Sequence, residues 1–202
     1  MRWVVFLRGV NVGKANRCQP AVIASQLSKL GVINIGAVGT FVVRENASES
    51  ALRAAIAEKL AFKCEIMICP ARDIIKLAST DPFAGHPSGP DITRFVNVLA
   101  KPLPNVHSTS HQTSNLKSAH GRIRRGERQT SEFPSLPLYL PSPDDWLLKI
   151  IAIENKFVLG LYRRQMKAIS YLGKVEKLLG VPATTRNWNT IQKVTKILET
   201  NG

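Results

Sequence analysis

The chain has 202 residues, of which 44% are hydrophobic and 21% charged, a balance typical of a globular protein large enough to bury its own core. Lysine and arginine number 28 against 14 aspartates and glutamates, a formal charge of +14. Residues 1–100 hold 12 basic and 7 acidic groups, 101–143 hold 6 and 2, and 144–202 hold 10 and 5, so the excess is not a basic tail on a neutral body. It is a positive field over much of the surface, which favours polyanions and anionic metabolites. No apolar stretch approaches the roughly 18 residues that a membrane-spanning helix needs; the best, Trp146 to Ile153, is broken by Lys149. The apolar run Trp3 to Leu7 is too short for a signal peptide, and an odd count of three cysteines predicts reduced thiols. The expected home is the cytoplasm, with no membrane partner.

In chain order, Trp3 to Arg8 is a β-rich run ended by Gly9 and predicts a buried strand. After the loop VNVGKANR, Pro20 suits the first turn of a helix whose Ile23, Leu27 and Leu30 share one face, with Gly31 as its stop. Ile33 to Val38 and Thr40 to Arg44 predict two strands meeting at Gly39. Asn46 or Ser48 caps a second helix carrying Leu52, Ile56 and Leu60. Cys64 to Cys69 is a fourth strand closed by Pro70. The order βαββαβ is that of a ferredoxin-like lobe, expected over residues 1–80.

The second half, 81–202, repeats the theme less cleanly, as a second, smaller α+β lobe packed on the first into one unit. Ala71 to Ser79 is a connecting helix ended at Asp81-Pro82-Phe83. Arg94 to Ala100 predicts a strand, and Trp146 to Ile153 with Phe157 to Arg163 a hairpin. Ser170 to Leu179 is a helix stopped by Gly180. Thr184 or Thr185 is the expected cap of a last helix with Trp188, Ile191, Val194 and Leu198 on one face. The interval 101–143 shows little periodicity and predicts a long basic flap or flexible segment. In it Arg122, Arg124, Arg125 and Arg128 are candidates for gripping a nucleic-acid backbone, or else keep a solvated loop soluble.

Two stretches gather polar groups that chemistry could use. LRGVNVGKANR leaves a strand with two glycines and brings together Arg8, Asn11, Lys14, Asn16 and Arg17 ahead of a helix, a setting suited to an anion. It is not a nucleotide P-loop: Gly9 to Gly13-Lys14 is one residue short, and Ala15 stands where a magnesium-binding Ser or Thr is required. TTRNWNT adds Arg186 and Asn187 near the C-terminus. Were the stretches to meet, Arg8, Lys14 and Arg186 would clamp an anion that Asn11 and Asn187 orient; alternatively, both stretches staple the lobes.

LRGVNVGKANR and GVPATTRNWNTIQKV, with AVGTFVVRE and EIMIC followed by ARDII between them, resemble the domain-of-unknown-function 1697 family of bacterial proteins, from about Trp3 to Leu198. The resemblance implies a two-lobed α+β structure and no established activity. The chain departs from the family where many members have Ser-Gly-Asn in the second hairpin: here the residues are Val38-Gly39-Thr40. The basic segment before Pro134 is also poorly matched.

Other sites fail on spacing. Cys64 and Cys69 point to opposite faces of a strand, Cys18 stands alone, and His107, His111 and His120 lack the pattern of a zinc motif, so neither metal nor cofactor is expected. The adjacent Asp144 and Asp145 diverge, and no GxSxG motif or Cys-His pairing marks a nucleophile, which argues against an enzyme. Trp3, Phe6 and Phe41 could stack bases on a ferredoxin-like sheet but fit a core better. The readings are therefore a protein binding nucleic acid or another polyanion through the phosphate backbone, an enzyme or receptor for a small anionic ligand between the lobes, or a structural interaction protein, with the oligomeric state open.

Overall fold

A computed structural model describes residues 1–13, 16–103 and 135–200. The first lobe runs β1 (Trp3–Leu7), α1 (Pro20–Gln26), β2 (Val32–Asn34), β3 (Thr40–Val43), α2 (Glu49–Glu58) and β4 (Ile66–Pro70), followed without a linker by α3 (Ala71–Ser79). The strands form an antiparallel sheet in the order β2-β3-β1-β4, the ferredoxin-like arrangement expected from the sequence. Pro20 opens α1, which is shorter than its apolar spacing predicts. A 3-10 turn over Ser28–Leu30 follows and ends at Gly31 in the left-handed region, φ 59°. Ser48 caps α2 by accepting from the Ala51 amide at 3.2 Å. The expected strand from Ile33 to Val38 is cut short, because Gly36 and Gly39 take φ of 78° and 69° and turn the chain into β3.

The second lobe runs β5 (Ile92–Leu99), β6 (Leu138–Leu140), β7 (Leu148–Glu154), β8 (Phe157–Arg163), α4 (Met166–Leu179), β9 (Ala183–Asn187) and α5 (Trp188–Glu199). Its antiparallel sheet has the order β6-β7-β8-β5-β9. One expectation is corrected here. Thr184 and Thr185 are not caps but members of β9, paired with Val98 and Asn97 of β5; the cap of α5 is Asn187, which accepts from the Asn189 amide at 3.0 Å. Both threonines are β-branched, so they suit a strand as well as a cap. Gly180 ends α4 at φ 62°, as its position predicts.

Leaving out the extra edge strand β6, the second sheet reads β7-β8-β5-β9, the same path as β2-β3-β1-β4. From β3 onward the two lobes also keep the same spacing. The starts Thr40, Glu49, Ile66 and Ala71 correspond to Phe157, Met166, Ala183 and Trp188 without insertion or deletion. The molecule is thus two turns of one topology, a closer repeat than the periodicity of the second half predicts, because the paired residues are mostly different.

Three apolar clusters hold it together. The inner one joins Val4, Phe6, Met67 and Cys69 to Val96, Val98, Leu159 and Leu161, with α3 and α5 supplying Ile74, Leu77, Trp188 and Ile191. Phe83 meets Trp188 edge to face, ring centroids 5.0 Å apart. The outer face of the first sheet packs Val5, Leu7 and Phe41 against α1 and α2, and that of the second packs Phe95, Leu148 and Ile150 against Val175 and Leu179 of α4. Among the described residues no helix is long and apolar enough to cross a membrane.

Candidate functional site

The two polar stretches singled out in the sequence do converge, where β1 ends and β9 begins. Arg186 of β9 is 5% exposed and reaches into the first lobe. Its Nε donates to Thr40 Oγ1 at 2.7 Å. Nη1 donates to Thr184 Oγ1 and the Thr185 carbonyl, and Nη2 to the carbonyls of Leu7, Val38 and Gly39 at 2.8, 2.9 and 3.3 Å. The guanidinium also lies 5.7 Å from the Phe6 ring centroid. With all its edges engaged by protein acceptors, it has no donor left for an outside anion. Among the described residues no carboxylate pairs with it, and burial pushes its pKa down to about 10, so it stays charged at neutral pH inside a cradle of neutral oxygens. The cradle includes Val38-Gly39-Thr40, the triplet of the second hairpin. Thr40 supplies there the acceptor that the arginine needs.

Arg8 completes the joint. Its Nε donates to the Ala183 carbonyl at 3.1 Å and its Nη2 pairs with Glu176 of α4 at 2.5 Å. The side chains of this pair are 41% and 32% exposed, so solvent screening leaves it worth at most about 1 kcal/mol. Thr184 Oγ1 adds a bond to the Leu7 carbonyl at 3.2 Å.

Asn11 and Asn16 both sit in the left-handed region, φ 55° and 52°, which asparagine tolerates better than most residues. Asn11 donates to the carbonyls of Cys18 and Ala37 at 3.0 and 2.7 Å and accepts from the Cys18 amide. It therefore pins the loop to the β2–β3 turn. Asn16 donates to the Gly9 carbonyl at 3.4 Å, and Arg17 is exposed beside an open, shallow depression shared with Asn11, Cys18, Gln19 and Ala37. Asn187 is the cap of α5. The candidates Lys14, Arg122, Arg124, Arg125 and Arg128, and the histidines His107, His111 and His120, lie outside the described residues.

The aromatics Trp3, Phe6 and Phe41 are all buried, as a core reading of them requires. All three cysteines are free. Burial pushes the Cys69 thiol up to about 12 and also raises those of Cys18 and Cys64.

A second set of groups escaped the sequence reading. On the inner face of the second sheet, cross-strand pairing sets Tyr139 beside Lys149, Lys149 beside Leu161 and Leu161 beside Arg94. This row spans about 14 Å at the usual strand spacing. Leu161 is buried, whereas Tyr139, Lys149 and Arg94 are half-buried. Lys149 Nζ lies 5.0 Å from the Tyr139 ring centroid, and the Arg94 guanidinium 5.6 Å from that of Phe83. Two residues further along β8, Arg163 lies 4.7 Å over the Trp146 ring. His86 stands close enough to feel this charge. Its imidazole is held below the usual value by burial first, then by Lys149 and Arg94. The row unites residues from separate strands, so only the register brings it into view.

No curated protein matches the chain. Among solved structures, the conserved bacterial protein SP0830 from Streptococcus pneumoniae is similar over 98% of both chains, with a TM-score of 0.50 at 16% identity, a likeness of fold alone. The family model described as protein of unknown function (DUF1697) matches residues 1–129. With well over half its length matched, the chain belongs to the DUF1697 family.

Proposed function

We propose that this protein binds a polyanion, nucleic acid by preference, through phosphate contacts on the inner face of the second sheet. The observation that supports this is the row of Arg94 and Lys149, which have no carboxylate partner among the described ion pairs and press His86 toward its neutral form. The two cations share one face on either side of Leu161, and a phosphate chain laid across it would meet both. The Arg8–Arg186 joint serves a different end, because its guanidinium edges bind protein oxygens.

The test is a fluorescence titration with short RNA and DNA strands between 50 and 200 mM salt. For the two phosphates that Arg94 and Lys149 would neutralise on a single strand, the affinity is expected to fall roughly sevenfold across that range. Arg94→Gln and Lys149→Gln should each flatten the salt slope by a little under one unit. Absent or salt-insensitive binding overturns the proposal.

A further inference from the structure

Beside the phosphate-attracting row, Arg163 is held in an unusual way. Its guanidinium lies 4.7 Å over the indole of Trp146. Two of its donating groups are already committed: Nε to the Trp146 carbonyl at 3.1 Å, and Nη1 to Asp91 Oδ2 at 3.2 Å. Asp91 also accepts from the Arg164 amide through its backbone carbonyl, 2.7 Å away, so the chain segment that carries the carboxylate is tied to the residue next to Arg163. The side chain of Arg163 is nevertheless 37% exposed. A guanidinium with its edge tied and its charge partly neutralised by Asp91 is a poor phosphate clamp. What it offers instead is a flat, rigid face backed by an aromatic ring, the kind of plate on which an unstacked base lies.

Two residues along the chain from Leu161, Arg163 shares the face of the cationic row. Charge for phosphates and a plate for a base thus lie side by side. A duplex keeps its base faces inside its own stack and could use only the charge; a single strand could use both.

We propose that this face binds single-stranded nucleic acid, with one unpaired base stacked on the Arg163–Trp146 plate while Lys149 and Arg94 hold neighbouring phosphates. The proposal rests on the polyanion reading of the same face and narrows it to a substrate class.

The experiment compares three fluorescein-labelled 12-mers binding to the full chain at 50 mM salt: a single strand with bases, an abasic strand with the same number of phosphates, and a duplex. One stacked base should favour the base-bearing strand over the abasic one at least about fivefold. Arg163→Lys keeps the charge but removes the flat face, and should bring that ratio close to one while leaving abasic affinity nearly unchanged. Its fold is checked by thermal melting, and the wild-type comparison of strands stands even if the variant fails to fold. Equal affinity for the base-bearing and abasic strands, or a preference that survives Arg163→Lys, overturns the single-strand proposal and leaves polyanion binding standing. Tighter binding of the duplex does the same. No binding to any of the three overturns both.

Discussion

The two lobes follow one strand order, yet they expose different things. In the first, β1 and β3 are buried along their whole length, as is β4 up to Pro70, and only the edge strand β2 is half-buried, because helices cover the outer face and the second lobe covers the inner one. In the second, β6 is half-buried throughout and β7 alternates between buried and half-buried positions. The difference arises from the extra edge strand, which carries the inner face beyond the reach of α3 and α5. The half-buried edge of the first sheet carries Val32, Ile33 and Asn34, whereas that of the second carries Tyr139 and Lys149. The shared topology thus gives the two lobes edges of different chemistry.

Perturbations at the joint should break this pairing of lobes most severely. Replacing Arg186 by Ala strands the carbonyls of Leu7, Val38 and Gly39 in a dry interface and is expected to cost on the order of 3–5 kcal/mol. For a chain this size that is a melting-temperature drop of about 10 °C, measurable by circular dichroism. Next comes Gly160→Ala in β8. An added Cβ would lie 2.5 Å from the Lys149 carbonyl and 2.6 Å from Cζ of Phe95, which should cost about 1–3 kcal/mol by overpacking. The corresponding position in the first lobe is Val43, facing Trp3 across the strands, so Val43→Ala there tests the opposite fault, a cavity. Denaturant titration of the two variants shows whether each sheet depends on its own pairing of large and small residues.

Smaller effects sharpen the comparison. Asn11→Ala should loosen the first-lobe loop, seen as faster hydrogen exchange at the Cys18 amide, at about 1–2 kcal/mol or less of global stability. In the second lobe the expected signal is a pH dependence. His86 has its pKa lowered from 6.5, so as the pH falls through that value the unfolded chain takes up a proton before the folded one does. Stability should decline toward acid pH, and His86→Gln should remove that component from melting curves. A bound phosphate chain reverses the local field, so affinity for it should rise over the same interval. Among the cysteines, Cys69 should resist alkylation in the native protein, since burial keeps its thiol up to about 12 and only the thiolate reacts.

Much of the first lobe was legible because its elements carry consistent local signals: β-branched runs bounded by glycine, Pro20 at a helix start, Ser48 at a cap. The second lobe was harder, for identifiable reasons. β6 has only three residues, Leu138 to Leu140, flanked by prolines. In β9 two threonines ahead of an amphipathic helix imitate a cap. The helix α4 begins at Met166, earlier than its pattern suggests, because Met166 and Ile169 are exposed and give no inward-facing period. The convergence of Leu7–Arg17 with Thr184–Thr190 was foreseeable as a condition, but its outcome was not. That Arg186 turns inward depends on β9 being a strand. The cationic row could not be read at all, since Tyr139, Lys149 and Arg94 become neighbours only through sheet register.

The cradle around Arg186 also governs how the molecule moves. Parting the lobes would pull a cation away from its oxygens before water could replace them. At about 3 kcal/mol, such a parted state would hold roughly 0.6% of the population. A ligand that needs the lobes apart would give up about that much of its affinity, so binding that leaves the joint closed is favoured. Accommodation then falls to side chains such as Lys149 and to the ligand itself.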